Sequence, residues 1–245
     1  MNNLTIIYLT DNSISAEIDK VVKRELVRAA EGKRIVSVSH KPIDLGDNIC
    51  LGEIGRSWIS LYKGILAGIE ATTTPYIAIA EHDCLYTPEH FNFKIPNDKI
   101  FWYNVNVWLA QWGGNHPELN GMYSYYPKRH VLSQLMCRGE MLKQSTEEVL
   151  NLLDMGLKVE RGMKWYGEPG LVSAAYRAFV EAKSGRSSQL QKYLKDYVTK
   201  YESQFFETKM PNLDIRHSTN FTGPKRGKQR CYTLPYWGDL KKVME

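Results

Sequence analysis

No apolar run in the 245-residue chain approaches the roughly 18–20 residues a membrane-spanning helix needs, so a transmembrane protein is not expected. Cysteine is scarce. The four present (Cys50, Cys84, Cys137, Cys231) form no C-x-x-C pair, which argues against a zinc ribbon or a disulfide scaffold and for a reducing, cytoplasmic setting. The opening stretch MNNLTIIYLT lacks the basic n-region and small-residue cleavage site expected of a secretory signal. Nor is there the polar excess of a disordered chain, since 43% of residues are hydrophobic and 24% charged. Internal repeats and an interdomain linker are also lacking, so a single domain over residues 1–245 is expected.

One sign of charge is in excess, by +5, and its placement matters more than its size. Between Ile215 and Glu245 seven Lys/Arg (Arg216, Lys225, Arg226, Lys228, Arg230, Lys241, Lys242) face only Asp239 and Glu245, a local excess that equals that of the whole chain. Such a cluster suggests an anionic partner; a solvated basic face is the plainer alternative.

The periodicity opens β-α-β. Leu4–Leu9 is a short β-branched run, Ala16–Ala30 carries Ile18, Val21, Val22 and Leu26 on one helical face behind a Ser15 cap, and Arg34–Ser39 is a second strand. That order argues for a parallel sheet. After a loop over residues 41–55, a helix is expected from Ser57 to Ala71, with Gly64 and Gly68 on one side to allow close approach to the sheet. Tyr76–Ala80 reads as a buried strand and Phe101–Ala110 as one further strand, with Trp102, Asn104, Asn106 and Trp108 sharing a face. A helix is expected from Pro127 to about Asp154, a second from about Leu171 to Phe206, and a mobile loop from Asp214 onward.

In an open parallel sheet, ligands collect at the carboxyl ends of the strands, which is where Glu81-His82-Asp83 falls. On extended backbone Glu81 and Asp83 point the same way and His82 the other, so His82 is expected to pack or support rather than ligate. Two carboxylates held together favour a cation between them, and Mg²⁺ or Mn²⁺ shared with substrate phosphates is the usual arrangement. A polar strand-to-loop transition is the bland reading of the same triplet.

The run Gly55-Arg56-Ser57 through Leu61-Tyr62 to Gly64-Ile65-Leu66-Ala67-Gly68-Ile69-Glu70-Ala71-Thr72, followed by Tyr76-Ile77-Ala78-Ile79-Ala80-Glu81-His82-Asp83-Cys84-Leu85-Tyr86, resembles the family-two-like glycosyltransferases of the GT-A fold. Tyr103-Asn104-Val105-Asn106-Val107-Trp108 and the stretch from Asp214-Ile215-Arg216-His217 to Asn220-Phe221-Thr222-Gly223 resemble a subgroup of that family common in phage and bacterial genomes. The resemblance implies an α/β, Rossmann-like GT-A fold: a mostly parallel sheet flanked by helices, with a helical and loop-rich C-terminal third. It implies a nucleotide-sugar half (residues 1–110), an acceptor half (111–213) and a basic lid or tail (214–245). Glu81-His82-Asp83 then stands where the family has an Asp-x-Asp-type motif that binds metal and sugar nucleotide.

Residue roles follow from that resemblance. Thr10, Asp11 and Asn12 would meet the base and ribose of a nucleotide-diphosphate sugar, UDP-linked by preference, or form an ordinary loop before a helix. Arg56 would neutralise a diphosphate or hold a carboxylate. Asp83, with Glu81 and a C-terminal His217, would hold Mn²⁺ or Mg²⁺. Arg216 would pair with phosphate or with Asp214. Glu168, in the turn Trp165-Tyr166-Gly167-Glu168-Pro169-Gly170, is the candidate general base of an inverting transfer, with Asp154 and Glu160 as rivals and a helix-capping role as the alternative. Trp102, Asn104, Asn106 and Trp108 could bind an acceptor by amide hydrogen bonds and indole stacking, or simply pack within the sheet.

The leading acceptor is a hydroxymethylated pyrimidine in phage DNA, contacted by Lys225, Arg226, Lys228 and Arg230, with Lys192, Lys195 and Lys200 widening the basic face. A saccharide or polysaccharide acceptor is the rival. A sugar nucleotidyltransferase would carry a Gly-rich basic loop after the first strand, where this chain has Thr10-Asp11-Asn12-Ser13. A non-enzymatic DNA-binding module is the remaining class.

Overall fold

The protein is described from a computed structural model covering residues 3–114, 116–126, 130–154, 168–169, 200–220 and 227–245. Leu4–Thr10 is apolar on both sides because both its faces are covered: it is strand β1, buried along its whole length. Ile6 and Tyr8 face one core with helix α1 (Ala16–Ala30), while Ile7 and Leu9 face the other with helix α2 (Trp58–Glu70). Ser15 caps α1 by accepting from Ile18 N, and Ser57 and Ser60 form a reciprocal capping box at the start of α2.

Strands β2 (Arg34–Ser39), β3 (Asp47–Cys50) and β4 (Tyr76–Glu81) extend β1 in parallel, in the order β4-β1-β2-β3. Beyond β4 lie β9 (Leu135–Arg138), β6 (Ile100–Asn104) and β10 (Glu202–Phe206), with β9 antiparallel to both its neighbours and β10 parallel to β6. The seven-stranded sheet is thus mostly parallel and flanked by helices, as expected. A second sheet runs β12 (Lys228–Cys231), β8 (Tyr123–Tyr125), β7 (Val107–Gln111), β11 (Asn212–Arg216), β5 (Cys84–Leu85).

Five expectations change. The loop over residues 41–55 contains β3, which pairs with β2. The single strand at Phe101–Ala110 is two, in different sheets, because Asn104 Oδ1 accepts from Asn106 N (3.0 Å) and turns the chain between β6 and β7. The helix expected from Pro127 begins only at Gly139 (α3, Gly139–Asp154); ahead of it Leu135-Met136-Cys137 is a buried strand, since a short run apolar on every side fits between β4 and β6. Most of the helix expected from Leu171 lies outside the described residues, but its end, Glu202–Phe206, is strand β10.

The stretch from Asp214 is also far from a simple loop. It includes most of β11, strand β12, a hairpin of β13 (Thr233–Leu234) with β14 (Gly238–Asp239), and a short helix, Leu240–Met244, capped by Asp239. Trp237 anchors this part by donating from Nε1 to Pro211 O (2.6 Å).

The two glycines of α2 are not equivalent. A Cβ at Gly68 would meet Ile7 Cγ2 at 2.5 Å, whereas one at Gly64 would find its nearest neighbour, Leu9 Cδ2, at an ordinary 3.6 Å. Gly68→Ala is expected to destabilise the fold by about 1–3 kcal/mol through overpacking. Gly64→Ala should instead stabilise it by up to about 1 kcal/mol through helix propensity. Urea unfolding of the two variants measures both.

His90 is fully buried, touching Tyr86 and Phe206 rings, and Asn104 Nδ2 donates to its Nδ1 (3.4 Å). Among the described residues its Nε2 has no partner, and burial lowers its pKa to about 3 from 6.5. The unfolded chain takes up this proton below about 6.5 and the folded chain only near 3. Stability should therefore fall as pH drops through that window, by about 1.4 kcal/mol per unit at most from this group. Comparing His90→Gln with the wild type from pH 7.5 to 4.5 isolates the effect: the variant's stability curve should be flatter.

Candidate active site

The carboxyl ends of β1, β2 and β4 lie on one edge of the large sheet, and a cavity of about 190 Å³ opens there. Leu9, Val38, Leu51 and Leu61 form its apolar wall, and Thr10, Asp11, Arg56, Glu81, His82, Asp83, Glu168, Asp214 and Arg216 supply the polar one. Most of the residues expected to meet a sugar nucleotide therefore share one space.

Asp11 accepts from Ser13 N and Oγ and pairs with Arg56 Nε at 2.6 Å. Burial pushes the Asp11 carboxyl up, but the Ser13 hydrogen bonds, His82 and Arg56 outweigh it and hold it below the usual range. Arg56 also donates from Nη2 to Thr219 O (2.6 Å), so one guanidinium joins the β1 loop to the segment after β11. Asn12 sits in the left-handed region (φ 58°) and its Oδ1 accepts from His40 N and Lys41 N, which fixes the loop after β2; it does not line the cavity.

β4 ends at Glu81, and His82 and Asp83 form a turn before β5. The alternation of an extended strand stops there, so His82 swings to the same side as Asp83 rather than opposite it. β5 pairs antiparallel with β11, and Ile215 N donates to Asp83 O (2.7 Å), which brings His217 alongside. His217 Nε2 lies 3.8 Å from Asp83 Oδ2, too far for a hydrogen bond, and is buried without a partner among the described residues. Its Nδ1 meets Thr219 Oγ1 (3.0 Å), which in turn donates to Ser13 O (3.4 Å).

Asn220 was quoted above only as part of a resembling stretch, yet it holds both flanks of this site. Its Oδ1 accepts from His217 N (2.7 Å) and its Nδ2 donates to Asp83 Oδ2 (2.9 Å). Burial would raise the Asp83 pKa, but His217, His82 and Arg216 hold the carboxyl well below the ordinary value.

Two groups of potential ligands share Asp83: His82, Asp83 and His217, and Glu81, Asp83 and Cys84. In the second, burial and the charges of Asp83, Asp214 and Glu81 push the Cys84 thiol well up, so it stays protonated and ligates poorly. The first has a carboxylate and an orphaned buried imidazole nitrogen, a donor set that fits a divalent cation.

Arg216 is buried in β11 and pairs with Asp214 Oδ1 (3.0 Å). Glu168 reaches the cavity, and Tyr103 Oη donates to the neighbouring Pro169 O (2.6 Å), pinning that turn. The proposed acceptor face is engaged internally instead. Asn104 Nδ2 also donates to Thr208 Oγ1 and Asn106 Nδ2 to Thr208 O. Trp102 donates to Asn97 O, and Trp108 packs on Tyr125. None of the four lines the cavity.

Lys228 and Arg230 lie exposed on β12, at the edge of the second sheet, and Lys200 pairs with Glu148. Lys192, Lys195, Lys225, Arg226 and Glu160 lie outside the described residues. Asp154, at the end of α3, does not line the cavity.

No protein-family model matches the sequence, and no curated protein does. Among solved structures the chain is similar to a glycosyltransferase involved in glycosylation of the major capsid of PBCV-1, at 10% identity and TM-score 0.41, covering 82% of this chain and 81% of that one. It is similar to the bifunctional IspDF from Campylobacter jejuni at 9% identity and TM-score 0.41, covering 84% of this chain and half (50%) of that one. A Drosophila β1,4-galactosyltransferase 7 variant in complex with manganese, UDP-Gal and xylobiose is similar at 14% identity and TM-score 0.37, covering 78% and 79%. With TM-scores of 0.41 and below, these likenesses assign neither a substrate nor a reaction.

Removing the Asn220 amide leaves a mostly buried carboxylate short of a donor. Asn220→Ala is expected to cost about 1.5–3 kcal/mol of stability in metal-free protein, read by urea unfolding.

Proposed function

We propose that the chain is a metal-dependent glycosyltransferase that moves a sugar from a nucleotide-diphosphate sugar, with UDP the nucleotide of choice, to an acceptor hydroxyl. The observation that carries this reading is the buried His217 Nε2, partnerless among the described residues and facing Asp83 just past β4, where Asp83 lines a cavity together with Arg56, Arg216 and Glu168. Asp83 and His217 would hold a Mn²⁺ or Mg²⁺ ion, with Glu81 at its edge. When bound, such an ion supplies Lewis-acid stabilisation of the diphosphate leaving group.

The chain's own residues do the rest. Arg56 and Arg216 place positive charge where a diphosphate would lie, and each is already held by a carboxylate, Asp11 and Asp214. Thr10 and Asp11 offer oxygen acceptors to ribose hydroxyls, and the apolar wall suits a flat base. Glu168 Oε would take the proton from the attacking hydroxyl, so the transfer is a single displacement with inversion at the anomeric carbon. The proposed acceptor is a hydroxymethylated pyrimidine in DNA, with exposed Lys228 and Arg230 to contact phosphate.

Mn²⁺ with UDP is expected to raise the melting temperature of the wild type, and Asp83→Asn to abolish that rise and donor hydrolysis while the metal-free protein still unfolds cooperatively. Glu168→Gln should keep the UDP-dependent rise and lower kcat by about 10²–10⁴-fold. Activity on hydroxymethylated DNA that falls steeply with salt supports the DNA acceptor; turnover on oligosaccharide alone replaces it with a saccharide. Wild-type protein that shows neither a Mn²⁺–UDP shift nor donor hydrolysis ends the proposal.

A further inference from the structure

The geometry points to His82 as a third protein ligand, making the ion site a two-imidazole, one-carboxylate centre that takes Mn²⁺ or a later first-row divalent metal in preference to Mg²⁺. This rests on the Asp83–His217 site proposed above and adds to it the ligand set and the metal it selects.

Ligand atoms of His82, Asp83 and His217 all lie within 4.8 Å of one another. The two imidazoles are held in the same manner. His82 Nδ1 shares a hydrogen bond with Thr10 Oγ1 (2.9 Å) and lies 3.5 Å from Asp11 Oδ1, a carboxylate oxygen that only accepts; ligation through Nε2 puts the ring proton on Nδ1, toward these oxygens. His217 Nδ1 meets Thr219 Oγ1, and Ser13 O is within reach of that hydroxyl's own proton, so ligation through Nε2 puts this ring's proton on Nδ1 as well.

In that arrangement each ring keeps its Nε2 lone pair for a metal ion. Metal-bound histidines show this pattern: one nitrogen ligates while the other donates to a hydroxyl, carbonyl or carboxylate that fixes the tautomer and orientation. The 3.8 Å gap between His217 Nε2 and Asp83 Oδ2 agrees, because two lone-pair atoms repel until a cation lies between them. The two rings meet edge to face, centroids 6.3 Å apart, so neither stacks over the other and blocks its nitrogen.

The donor set decides the metal. Mg²⁺ prefers oxygen ligands and retains its water, whereas two imidazoles favour Mn²⁺ and still more the later divalent ions. A site of Asp83, Glu81 and one histidine would discriminate far less.

The test uses the full chain with each metal alone. Pulsed electron paramagnetic resonance of the Mn²⁺-loaded wild type counts directly bound nitrogens with no substitution needed, and two are expected. His82→Gln and His217→Gln should each leave one. Calorimetry should find Mn²⁺ bound about a hundredfold or more tightly than Mg²⁺ in the wild type, and that ratio should drop by about tenfold or more in His82→Gln. Metal-free unfolding curves check that each variant is folded. A single nitrogen in the wild type, lost in His217→Gln and kept in His82→Gln, overturns the His82 assignment and leaves the Asp83–His217 site standing. No Mn²⁺ binding by the wild type overturns both.

Discussion

The site depends on one pairing, the short antiparallel contact of β5 with β11. Asp83 leads into the first strand and His217 follows directly after the second, so hydrogen bonds such as Ile215 N to Asp83 O carry the two side chains together from 134 residues apart in sequence. β11 is held in turn by β7, and Trp112 N donates to Arg216 O at its end (3.0 Å). A second sheet built of short, non-sequential strands thus has a function the large sheet cannot supply. The parallel sheet presents a crevice at its strand ends, and the second sheet brings a histidine and a buried arginine to that crevice.

Charge in the cavity is balanced pair by pair. Arg56 stands against Asp11 and Arg216 against Asp214. Arg216 and Asp214 are both buried, and removing one partner of such a pair costs far more than the pair contributes, because the remaining charge stays desolvated. The arrangement therefore keeps two guanidiniums inside a partly apolar cavity without an anion present, ready to share their donors with one. Asp83 differs: its nearest side-chain partners are the Asn220 amide, which donates to it, and His217, whose Nε2 stands 3.8 Å away.

Much of the first half was legible because its elements are long and regularly periodic. β1, α1, β2, α2 and β4 fall within a residue or two of their expected bounds. The strand-end rule then led to Glu81 and Asp83, and the family resemblance to Thr10 and Asp11, all of which line the cavity. The later elements are short, and their state depends on partners remote in sequence. Leu135-Met136-Cys137 becomes strand only because β4 and β6 flank it, and Glu202–Phe206 only because β6 offers an edge. Strand alternation also misassigned the face of His82, since it presumed extended backbone through a position where the chain turns.

The amide-rich face of Asn104 and Asn106 shows the same limit from the other direction. Alternation grouped these residues with Trp102 and Trp108 as a surface able to grip a sugar, and the grouping assumed one continuous strand. Asn104 instead ends that strand by accepting from Asn106 N, and both amides then secure the segment at Thr208 that leads into β11. β11 carries Asp214 and Arg216 and delivers His217. An asparagine pair that looks like a ligand-binding face is therefore part of what positions the site at one remove, by fixing the point where the chain leaves the large sheet and enters the second. Its chemistry is the same in both readings, an amide seeking a donor and an acceptor. What differs is whether those partners come from a ligand or from the chain, and in a buried turn the chain supplies them.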